Sequence, residues 1–202
     1  MPELPLPPDF TWRTIDQLAR RVGRYCWWEH RLFELTGRWA SGIGDPEIRV
    51  FFSQMSARHA AVSLQWRDRL PARAGVDLTA LVVAPSRADA EVLSLLEGQC
   101  DDLLRLGGLI DVVLPRLHSA YRAHLMQASA VSEGPVIEVL RQIAGAGERE
   151  IDHGQALLRP DQRAERSGRP TPHRAGHVAE FCLTLERSFE AASDKSPDAW
   201  AS

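Results

Sequence analysis

Apolar residues recur along this chain at steps of three and four over long stretches, and no alternating pattern of a strand competes with them. The first stretch predicts a helix from about Thr14 to Trp39, with Leu18, Val22, Tyr25, Glu29, Leu32 and Thr36 on its stripe. "TIDQ" offers a Thr cap with Gln three residues on, and "SGIGDP" stops the helix. Asp45 and Pro46 then open a second helix toward Leu70, striped by Ile48, Phe52, Met55, His59, Val62 and Trp66. A third is expected from Ser86 or Ala88 to Ala130, bent or interrupted at Gly107, Gly108 and Pro115. The fourth spans about Pro135 to Leu158, with Val136, Leu140, Ile143, Gly147, Glu150, Gly154 and Leu157 on its stripe. "HVAEFCLTLERSFEAAS" reads as a shorter fifth helix presenting Phe181, Leu185 and Phe189.

The connections decide the wiring. Short turns join helices one to two and three to four, while "PARAGVDLTALVVAPSR" makes a long passage between the pairs. Within it, "ALVVA" suits a short apolar strip laid across the bundle. Two tight hairpins joined by one crossover form an all-α four-helix bundle. The expected organisation is a helical bundle over 1–160, a linker over 161–175, and a C-terminal helix with a frayed tail over 176–202 belonging to the same domain.

Composition narrows the setting. The 202 residues suffice for one core, and a formal net charge of −3 gives no general affinity for nucleic acid. The three cysteines are far apart, so they are expected to be reduced thiols in a cytoplasmic protein. "MPELPLPPDF" lacks the basic start and apolar run of a signal peptide, and no membrane span is expected.

The unusual feature is chemistry on the stripes. Glu29, His59, Glu150 and His153 fall on or beside faces that should point inward, where an unpaired charge is expensive. Glu29 and His59 lie roughly 22 Å either side of the first turn at about 1.5 Å per residue, so they should face each other. Glu150 and His153 share a helix face and suit iron, manganese or zinc. The plainer readings stand beside this one. His153 sits among charged residues and turns outward on a small helix rotation. Glu34 competes with Glu29 for the inward place. His59 fits a hydrogen-bonded core histidine, and Tyr121 fits the core edge with His118 and His124 outside. Trp27, Trp28, Trp39 and Trp66 read as core or interface. Ser56 beside His59 has no orienting acid, so hydrolase chemistry is not favoured.

With Glu150-x-x-His153 on its fourth helix and a long crossover, the stretch 14–158 resembles the ferritin-like di-iron carboxylate superfamily. The resemblance implies Glu29 as the first-helix ligand and His59 as the second-helix histidine, with Glu150 and His153 completing an iron or manganese site. Tyr121 or His118 would then tune the metal or relay protons. Two positions depart from the pattern: Ser56 stands where a glutamate is expected, and no carboxylate on helix three faces Glu150. His118 or Asp111 is the residue available to fill that gap. The implied function is a metal-dependent oxidoreductase or oxygenase acting on a small organic substrate. The alternative is a metal-free ferritin-like bundle that binds a ligand or partner. Iron storage ranks behind both, since no acidic lining is evident. The metal-free reading allows a homodimer through the Trp-rich first helix, since "CWW" at 26 to 28 would leave apolar surface if the bundle did not cover it.

Overall fold

The computed structural model describes residues 13–71, 77–159 and 172–193, and every described element is helical. Helix α1 spans Ile15–Ala40. The Thr14 side chain accepts from Gln17 N, and the Gln17 side chain accepts from Thr14 N, so the predicted capping box forms. Helix α2 spans Pro46–Arg67, with Asp45 capping the amides of Glu47 and Ile48. The two make the first hairpin. Trp66, Phe52, Leu32 and Val22 are fully buried within it or against its neighbours, each such side chain stabilising the fold by about 1.5–3 kcal/mol.

Among its described residues the crossover carries one 3-10 turn, Leu78–Leu81, with Asp77 as its cap. It overlaps the expected strip "ALVVA" only at Ala80 and Leu81, and Val83 of that strip is exposed. The turn lies against α1 at Gly23, where a Cβ would stand 2.1 Å from the Leu81 carbonyl oxygen. Only a residue without a side chain admits so close an approach.

The third predicted helix is a series of pieces. Helix α3 is Arg87–Glu97 and helix α4 is Asp102–Gly107, separated by a break whose Asp101 caps α4. A π turn, Gly108–Val113, leads into α5, Leu114–Gln127. The amide of Leu114 bonds the carbonyl of Leu109, five residues back. Pro115 brings no amide hydrogen, and a wide turn just before it accommodates that loss. The α-helix is thus interrupted between the glycine pair and Pro115 as expected, and a second break, which was not expected, falls at Gly98–Asp101. Gly107 and Gly108 stay helical, and their missing side chains serve packing. A Cβ at Gly107 would stand 2.4 Å from Val178 Cγ1, and one at Gly108 2.9 Å from Leu185 Cδ1.

Val178 and Leu185 belong to α7, Pro172–Ser193, which starts earlier than its pattern suggested. Leu185 and Phe189 are buried and Phe181 is half-buried, as the predicted face requires. The expected frayed tail and most of the expected linker lie outside the described residues. Helix α6, Gly134–Leu158, pairs with α5 as the second hairpin and also packs on α2. Among the described residues, no helix is long and apolar enough to cross a membrane.

The apolar surface expected around "CWW" is largely covered within the chain. Trp28 is buried, donates to Asp89 Oδ1 at 3.0 Å, and lies 6.5 Å from the Phe189 ring.

Candidate functional site

Helical spacing brings Glu29 of α1 and His59 of α2 to one level in the hairpin, and both are buried. Glu29 Oε2 lies 2.5 Å from His59 Nδ1. Glu29 Oε1 accepts from the Tyr121 hydroxyl at 2.6 Å. Burial alone raises the Glu29 pKa, but His59 and the two hydrogen bonds outweigh it and hold the carboxyl below its ordinary range. Burial lowers the His59 pKa more than Glu29 raises it. The pair is therefore a carboxylate and a neutral imidazole whose Nδ1–H donates. That tautomer leaves His59 Nε2 as an acceptor, and Arg58 Nη2 stands 3.2 Å from it as the donor.

Arg58 closes the group on its outer side. Its guanidinium forms a tight ion pair with Glu150 Oε2, which itself lies 3.9 Å from His59 Nε2. Arg58 is half-buried, and burial lowers its pKa. Tyr121 is fully enclosed, and burial followed by the Glu29 charge raises its pKa well above the ordinary value.

His118 is buried one turn before Tyr121, with ring centroids 6.1 Å apart in a stacked arrangement. A Cβ on Gly147 would stand 1.6 Å from His118 Cε1, so this imidazole occupies the place of a side chain on α6. Its Nδ1 is buried with no hydrogen-bond partner, and burial pulls its pKa to about 4.

His153 does not join. It is exposed on α6 and its ring meets Phe51 edge-on, with centroids 5.0 Å apart. The inward positions of that turn are Gly147 and Gly154, and Gly154 lets Ile110 approach so closely that a Cβ would stand 2.4 Å from its Cδ1. Three residues past Glu150 the helix has turned about 300°, and His153 leaves the face that the glycines define. Asp111, offered as a replacement ligand, is exposed on the π turn. Ser56 donates to the Phe33 carbonyl at 3.0 Å and so ties α2 to α1. Glu34 pairs with Arg31 and leaves the inward place to Glu29.

The plainer reading of α5, with histidines outside, is corrected: His118 and His124 are both buried. His124 belongs to a second polar group that the sequence did not announce. Its Nδ1 lies 3.2 Å from the Tyr25 hydroxyl and its Nε2 2.7 Å from Glu133 Oε2. Glu133 also takes Arg13 at 3.4 Å and the Ser129 amide at 3.3 Å. Nothing in "SEGP" marks Glu133 as more than a turn residue. Arg58 was the other omission, although it stands three residues after Met55 and four before Val62, at the edge of the inward face. Tyr25 and Tyr121 meet edge to face at 4.8 Å, with Trp66 against both. The two polar groups thus flank one aromatic centre.

As arranged, these residues do not fit a shared ion. Both Glu29 oxygens and His59 Nδ1 are engaged, a guanidinium stands between Glu150 and His59 Nε2, and His153 faces outward. Among the described residues, no three His, Cys, Asp or Glu side chains converge closely enough to hold a metal. Compared with known proteins, the chain matches no family model, no curated protein and no solved structure.

Proposed function

We propose that this chain is an atypical ferritin-like bundle whose interior charge is balanced by Arg58, and that it works as a binding module for a small organic molecule. The observation that carries this reading is the guanidinium of Arg58 lying against both Glu150 and His59 Nε2. A fixed cation there neutralises the carboxylates and occupies the space that an ion would need. The two hairpins, α1 with α2 and α5 with α6, and the crossover over 68–86 support the ferritin-like wiring.

The second reading is an iron or manganese oxidoreductase acting on a small organic substrate. Glu29, His59 and Glu150 sharing one level, together with the unpartnered His118 Nδ1, favour it. It requires Arg58 to swing away from Glu150.

Metal analysis separates the two. Protein purified without chelators and then loaded anaerobically with Fe(II) should carry far less than one equivalent. Arg58→Ala frees Glu150 and His59 Nε2, and should increase iron uptake while remaining folded by circular dichroism. One or more equivalents of iron or manganese in the wild type, lost in Glu29→Ala, overturns the proposal in favour of the oxidoreductase.

A further inference from the structure

On the outer side of the first hairpin, α1, α2 and the crossover enclose a half-open groove of about 590 Å³. Ligand pockets typically measure roughly 300–1,000 Å³ and are mostly apolar with a few placed polar groups. This one has that character. Phe33, Leu64, Leu70 and Val82 line its walls, and Cys26 with Ser63 lies at its base. Leu64 is 61% exposed and Phe33 37%, so apolar side chains from two facing helices are held open to water.

Among the described residues no Asp or Glu lines the groove, whereas Arg67 and His30 do. His30 shares Glu34 at 3.6 Å. Arg67 is exposed in the last turn of α2 and has no ion-pair partner among the described residues. The groove runs along α2 from Ala60 to Arg67 and along α1 from Cys26 to Phe33. Each of these spans is seven helical steps, about 10 Å, too short for a long lipid tail and adequate for a ring or a medium-length chain.

We infer that this groove binds an amphipathic organic carboxylate, with its apolar body between Phe33 and Leu64 and its carboxylate on Arg67. Burying the body removes Leu64 and Phe33 from water, and Arg67 gains a charge-assisted hydrogen bond. The inference gives the binding-module reading its site, but its evidence is separate from the Arg58 network.

Titration calorimetry of the full chain with octanoate and decanoate, using decanol as a neutral control, tests it. Wild type should bind decanoate saturably at one per chain. Arg67→Glu should weaken decanoate at least tenfold and leave decanol little changed. Leu64→Glu, a surface substitution that spares the fold, should weaken decanoate at least tenfold. Lack of saturable decanoate binding by folded wild type overturns the inference, as does equal binding by Arg67→Glu. So does a dimer that dissociates on Leu64→Glu, which would show a second copy covering the groove. Metal content tells the two proposals apart. An iron-free protein that ignores decanoate removes only this site, and an iron-loaded protein that binds decanoate removes only the Arg58 reading.

Discussion

The Tyr121 hydroxyl and Glu29 Oε1 meet at 2.6 Å between two helices that are distant in sequence, with both side chains sealed from water. An ionised carboxylate is held there because every near neighbour supplies a donor. Removing one donor leaves a buried acceptor unsatisfied, which costs about 1–3 kcal/mol. Tyr121→Phe should destabilise the protein by that amount in urea unfolding, with little change of volume to confuse the result. Unchanged stability would mean that water replaces the phenol and that the site is open.

The contact of His118 with Gly147 makes a second test. A methyl group at residue 147 collides with the imidazole, and overpacking of this kind costs about 1–3 kcal/mol. Gly147→Ala should lower the thermal midpoint. In a His118→Ala background the same substitution should cost much less, because the colliding ring is gone. A double-mutant cycle that gave simple additivity would place the imidazole elsewhere.

Acid should weaken the fold before its carboxylates titrate. His118 has a folded pKa of about 4 against about 6.5 in the open chain, chiefly through burial. Between those values the unfolded chain binds more protons. The stabilisation from neutral His118 is thus complete above about pH 6.5 and is lost as pH falls toward 4. Over the whole window this amounts to on the order of 3 kcal/mol. Burial lowers His124 to about 4 as well, against the upward pull of Glu133, and it acts in the same direction. Glu29 and Glu133 are held below their ordinary range, so their losses come at still lower pH. Chemical unfolding at steps from pH 7.5 to 4 should show this decline, and His118→Gln should make it shallower. An identical slope in the variant would show that His118 is hydrated in the folded protein.

Much of the scaffold was legible because helical periodicity is local. Thr14 with Gln17 and Asp45 with Pro46 announce helix starts through bonds made within four residues. Glu29 and His59 were legible too, since a short turn between two regular helices fixes which levels meet. The third helix was harder. Gly98 carries little weight in a sequence pattern beside Gly107 and Gly108, yet the chain breaks beside Gly98. At the glycine pair the α-helix passes into the π turn, with α7 packed directly on both residues. Beyond the π turn, His118, Tyr121 and His124 of α5 are all buried.

The chain by itself determined the helical class, the hairpins, and the acid and imidazole at the centre of the first hairpin, because each follows from repeats and caps of neighbouring residues. Only the tertiary structure decided that Arg58, not His153, completes that centre. Which of Glu150 and His153, one turn apart on α6, reaches the interior depends on helix rotation. Here that rotation is set by Gly147 and Gly154, which admit His118 and Ile110 from elsewhere in the chain, and no local pattern encodes such a contact.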